Sequence, residues 1–75
     1  MKTIFVLYDT GVAETIRAFD SMDRAITVAI KRLQFFNHEC MSFDYFEEYT
    51  VIEYVDHETG ILEALTITAT TYEEE

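Results

Sequence analysis

The sequence predicts an α+β fold: a small ββαββ domain in which a mostly antiparallel sheet has one helix packed on one face. Three observations predict it. The stretch from Asp20 to Phe36 spaces its apolar residues as a helix does. Two pairs of short runs rich in Ile, Val, Tyr and Thr flank it, each pair joined by turn-forming residues. No proline, internal repeat or low-complexity linker divides the chain, so residues 1–72 read as a single domain and residues 73–75 as an acidic, solvated tail.

Lys2 to Tyr8 contains Ile4-Phe5-Val6-Leu7-Tyr8, too short for a free-standing helix and rich in strand formers. It reads as a central strand buried on both faces. Asp9-Thr10-Gly11 breaks it: Asp9 can bond its own backbone two residues on, and Gly11 can take positive φ. Val12, Ile16 and Phe19 also fit helical spacing, but Thr15, Ile16 and Phe19 after so short a turn favour a return strand.

Met22, Ala25, Ile26, Ala29, Ile30, Leu33 and Phe36 recur at steps of three and four, which gathers them on one side of a helix. Asp20 or Ser21 can cap its first turn, Asp23 suits the positive end of the dipole, Lys31 and Arg32 the negative end, and Asn37 is a stop. Val28 and Phe35 lie on a different side, flanked by Arg24, Lys31 and Arg32. Either the aromatic segment after Asn37 folds back over them, or they form a self-association face for a homodimer.

Asn37 to Phe46 shows no clear period and reads as a connection that packs down through Phe43, Tyr45 and Phe46. Glu47 to Val55 and Ile61 to Tyr72 are the later strands, joined by Asp56-His57-Glu58-Thr59-Gly60 as an antiparallel hairpin. A five-residue loop sets Glu53 opposite Glu63; a four-residue loop puts them on opposite faces and sets Val51 opposite Thr66. Apolar side chains fall on both faces of this hairpin, and one helix covers only one, so a second copy of the chain could close the other.

Composition narrows the function. At 49% hydrophobic and 15% aromatic the chain is apolar enough to fold, although 75 residues leave a thin margin. No apolar run is long enough to span a bilayer, and the opening residues are too soon charged for a signal peptide; the expected location is cytoplasmic. The single cysteine, Cys40, fits a reducing compartment. The net charge is −10, and its placement is uneven. All five Lys and Arg fall in residues 1–32, which sum to +1, whereas residues 33–75 carry eleven carboxylates and no Lys or Arg. Such a chain is unsuited to direct nucleic-acid contact or to an anionic membrane, and suited to a basic protein surface.

Catalytic signatures are sparse. Asp9-Thr10-Gly11 matches the short signature of retroviral-type aspartic proteases, but the later apolar-apolar-Gly stretch of those enzymes is missing, and the three residues read as a turn. His38, Cys40 and His57 lack the paired spacing and fourth ligand of a zinc site, and Asp56 to Gly60 is far shorter than a calcium loop. No cofactor or metal is expected. What remains is an acidic constellation with aromatic anchors: Asp44, Glu47, Glu48, Tyr49, Glu53, Tyr54, Asp56, Glu58 and Glu63, interleaved with Tyr45 and Phe46.

The opening strand Ile-Phe-Val-Leu-Tyr-Asp, a second strand ending Ala18-Phe19-Asp20-Ser21, a helix with Ala25 and acidic, Tyr-rich strands afterwards resemble many small proteins of phages and bacterial mobile elements. That resemblance implies a class that includes DNA-mimicking anti-restriction and anti-CRISPR proteins, which block nucleic-acid-binding proteins stoichiometrically. The expectation is therefore a non-enzymatic acidic interaction module that inhibits a basic nucleic-acid-handling protein. The alternative is a small-molecule-binding or catalytic module acting as a homodimer.

Overall fold

The computed structural model describes residues 1–73 and contains strands β1 (Lys2–Asp9) and β2 (Glu14–Phe19), helix α1 (Met22–Phe35), and strands β3 (Glu39–Tyr45), β4 (Tyr49–Val55) and β5 (Leu62–Tyr72). The strands form one antiparallel sheet in the order β2-β1-β5-β4-β3, and α1 packs on one face, over β1, β5 and β2. The α+β class and the single covering helix are those the sequence predicts. Of the tail read at 73–75, Glu73 follows β5 and is exposed, and the last two residues lie outside the described ones.

Because directly paired residues share a face, the register shows which side each strand turns to the helix. Leu7, Ile67 and Thr50 form one buried row, and Leu65 and Ile52 another. Phe19 and the helix residues Met22, Ala25, Ala29 and Leu33 close over them. The opposite face has no layer on it, so Ile4, Val6 and Tyr8 of β1 are only half-buried.

The helix starts where its cap stands: Ser21 Oγ accepts the Arg24 N–H at 3.2 Å, with Asp23 in the first turn. It ends because Asn37 adopts φ 55°, which lets the amides of Asn37 and His38 return to the carbonyls of Gln34 and Leu33. The apolar stripe is rotated from the one the spacing suggests. Val28 packs against the core, while Ile30 and Phe36 stay partly exposed.

Two further expectations are corrected, and an open register is settled. Residues 39–45 are not a packed-down connection but a fifth strand at the sheet edge, so they do not fold back over Phe35, which is 82% exposed. A bulge hides this strand in the sequence: Cys40 pairs with Tyr54 and Ser42 with Glu53, leaving Met41 extra. Gly11 does not take positive φ; Ala13 does, at 53°. What Gly11 supplies is room, since a Cβ there would collide with the Tyr54 hydroxyl. The second hairpin resolves to the four-residue register: Val51 faces Thr66, and Glu53 faces Ala64 rather than Glu63. Its loop is fixed by the Asp56 carboxylate, which accepts the Glu58 N–H at 2.8 Å, and by Gly60 at φ 72°.

No helix among the described residues is long and apolar enough to cross a membrane.

Candidate functional site

The sheet order gathers β3, β4 and the turn between them at one edge, and this hairpin carries much of the acidic surface. Glu39, Asp44, Glu47, Glu48 and Glu53 lie between residues 39 and 53, a segment with no Lys or Arg. Around its closed end Phe43, Tyr45, Phe46 and Tyr49 are each about half exposed. Phe43 and Tyr45 share the helix side of the sheet with Ile52 and Thr50, whereas Asp44 lies on the other side opposite Val51. Phe46 and Tyr49 stack at 4.6 Å between centroids, so the aromatic surface wraps the tip.

The tip is held in place. Phe46 N–H donates to the Tyr49 carbonyl at 2.9 Å, closing a tight turn, and Ala69 N–H of β5 donates to the Glu48 carbonyl at 2.8 Å. Glu47 and Glu48 thus border a groove with Thr3, Phe5, Ala69 and Thr71. The cations stand elsewhere: Arg17, Arg24 and Lys31 surround a shallow depression between β2 and α1. The charge is therefore uneven across the sheet: acidic at the β3 edge, whereas at the β2 edge Arg17, Arg24 and Lys31 stand among Glu14, Asp20 and Asp23.

Of the residues the sequence singles out, Asp44, Glu47, Glu48 and Tyr49 come together at this tip. Asp56 and Glu58 lie at the other end of β4, about 27 Å away at the usual rise per residue. Glu53 is partly buried and accepts from Ser42 Oγ at 2.8 Å. Glu63 accepts from Thr10 Oγ at 2.7 Å, and that same hydroxyl accepts the Ala64 N–H. These two carboxylates hold strands together. Tyr54 is buried at 2% exposure, so it offers a partner no surface. Val28 is half-buried against the core, and Phe35 is exposed and meets Phe36 edge-on at 5.0 Å.

A second cluster is signalled in the sequence only by its local turn bond, from Gly11 N–H to Asp9. Asp9, at the end of β1, accepts three hydrogen bonds: from Tyr54 Oη at 2.6 Å, from Gly11 N–H at 2.9 Å, and from Arg32 Nε at 3.0 Å. Its residues are separated by 23 and 45 positions. Arg32 also lies over the Phe36 ring at 5.0 Å, and His38 stacks on Tyr54 at 4.7 Å, nearly parallel. Together they floor a cleft of about 240 Å³ rimmed by Val12, Asp56, His57 and Glu58. The Asp9 carboxylate is spent on Tyr54, Gly11 and Arg32, which makes the cluster a tie between helix and sheet. No described buried side-chain nitrogen or oxygen lacks a hydrogen bond, and no described His, Cys, Asp and Glu side chains assemble a group of three for a metal. Cys40 is exposed and donates to the Ser42 carbonyl at 3.6 Å.

Burial, then the hydrogen bond to Asp9 and the nearby Asp9 and Glu63 charges, push the Tyr54 phenol well above its ordinary value of 10.0. The sign follows. Below pH 10 both folded and unfolded chains keep this proton; above it the unfolded phenol ionises first, so folding loses stability as pH rises. The urea midpoint should fall as pH rises above about 10, and Tyr54→Phe should flatten that fall. An equal alkaline slope in both proteins would contradict this role for the phenol.

No family model, curated protein or solved structure matches the chain. Function has to be argued from the geometry of these two sites.

Proposed function

We propose that the chain is a non-enzymatic interaction module that binds a basic protein surface through the acidic, aromatic tip of the β3–β4 hairpin. One observation carries this reading: four half-exposed aromatic rings wrap the end of an edge hairpin bearing five carboxylates and no cation. Rings of this kind supply contact area with little side-chain entropy, and the surrounding charge speeds encounter and sets orientation. Carboxylates at both ends of β4 address a surface that presents cations at spaced positions, as nucleic-acid sites do, so the partner class is a nucleic-acid-handling protein that the module blocks in the manner of a DNA mimic. The cleft at Asp9 is the weaker candidate for binding, because its buried carboxylate is already taken up by three donors.

The test is capture of nucleic-acid-binding proteins from the native host by the immobilised chain, challenged with duplex DNA and with salt. Reversing Asp44, Glu47 and Glu48 to Lys should cut capture at least about tenfold, and capture should fall steeply from about 50 to about 200 mM salt. Among the described residues these three exposed carboxylates make no side-chain hydrogen bond, so the fold should survive their reversal. Capture that withstands both treatments, or that duplex DNA does not displace, would refute the reading.

A further inference from the structure

We propose that the helix-free face of the sheet is covered by a second copy of this chain, sheet against sheet, with the two helices outermost. In a chain where 27% of residues are charged, the middle of this face carries none. By the register it presents Ile4, Val6 and Tyr8 on β1, Thr66 and Thr68 on β5, and Tyr49 and Val51 on β4. The charges that reach this face stand at its margins: Lys2 at the start of β1, and Glu39, Asp44 and Glu53 toward the β3 edge.

The register also says how two copies fit. One row across the sheet reads Thr15, Tyr8, Thr66, Val51, Asp44, and the next reads Ala18, Val6, Thr68, Tyr49. A two-fold axis parallel to the strands reverses each row over itself. It sets Tyr8 on the partner's Val51 and Val6 on the partner's Tyr49, large against small each time, with β5 over β5 at the axis. It also sets the Asp44 carboxylate of one copy over a threonine hydroxyl of the other. An axis perpendicular to the strands would lay β3 on β3 and bring carboxylates together, so charge selects the first arrangement. Aligned sheets about 10 Å apart pack in this way.

The area suffices. By the register all five strands lie side by side over three residues and β1, β5 and β4 over four, so the strands stacked by this two-fold overlap over roughly 400 Å² in projection on each copy before side-chain relief. A pair therefore buries on the order of 1,000 Å² or more, the size at which specific interfaces begin. The neutral centre is not what draws a basic partner, but the two surfaces share Tyr49 and Asp44, while Phe43 and Tyr45 of the tip lie on the helix side and stay free in the dimer.

Salt separates them in experiment. Two copies at −10 each repel, so screening should strengthen self-association while it weakens capture of a basic partner. Sedimentation should show a species of twice the 8.8 kDa chain mass whose population grows with chain concentration and with salt. Val6→Lys and Thr68→Lys should each weaken the dimer at least about tenfold, although both lower the net negative charge. Thr68 is exposed in the single chain, so its variant should keep the wild-type circular dichroism and, with Tyr49 and Asp44 uncovered, capture a basic partner at least as well as the wild type. A monomer at roughly 1 mM in high salt, or a dimer indifferent to both lysines, would overturn the proposal.

Discussion

Asp9→Asn is expected to destabilise the domain by about 3 to 5 kcal/mol, the range for removing one partner of a buried ion pair. The Asp9 side chain is 5% exposed and accepts from Tyr54, Gly11 and Arg32 together, so no water stands ready to replace it. An amide in its place cannot neutralise Arg32, and it turns a donor toward either the guanidinium or the phenol. The site concentrates tertiary structure: β1, the first turn, α1 and β4 meet at one carboxylate. A chain of 75 residues has about 4 to 11 kcal/mol of stability in total, so a loss of this size should leave it largely unfolded in mild urea. Arg32→Gln should cost less, because its side chain is 23% exposed and water can enter, but it strands a buried carboxylate. The double variant should be milder than the sum of the two, since each single change leaves a partner behind. Urea denaturation at fixed chain concentration measures all three, and a cost for Asp9→Asn below about 0.5 kcal/mol would remove the tie from the account of the fold.

This dependence on a distant pair marks where the sequence stops being readable. The helix was legible because its apolar steps and caps are local, and Ser21 and Asn37 act where such residues act in general. Its rotation was not. Several apolar residues fit a stripe, and only the position of the sheet decides that Val28 goes inward and Ile30 outward. The pair of strands before the helix and the pair after it were legible from composition and turns. β3 was not, because the extra residue at Met41 breaks its alternation, so that Cys40 and Phe43 share a side at a spacing of three. On β4, apolar residues at both parities left the faces undecided, which is why Tyr54 stood among the surface anchors although it points into the core. The acidic tip was half legible: the charge excess is a property of composition, but its concentration at one edge depends on strand order. Of the Asp9 cluster only the turn bond to Gly11 was legible, since partners 23 and 45 residues apart leave no spacing to read.

Leu65→Ala should cost about 2 to 5 kcal/mol, the other large effect, and it tests the faces directly. Leu65 is fully buried on the central strand, paired with Asp9 on one side and Ile52 on the other, beneath the helix. Removing its branched end leaves a cavity that a sheet fixed by backbone hydrogen bonds on both sides can fill only in part, so the loss should lie above simple transfer of the methyl groups. Thr70→Ala, on the same strand but exposed, should stay within about 0.5 kcal/mol. The two variants discriminate registers because a shift by one residue exchanges the faces of the whole strand. Similar costs at both positions would mean that the strand is not held as described. Leu65 also lies beside the ion pair it shelters, so opening a cavity there should admit water to Asp9 and Arg32. Combined with Asp9→Asn, its effect should therefore be less than additive, by about 0.5 to 3 kcal/mol as for residues in contact, whereas Thr70→Ala with Asp9→Asn should add without coupling.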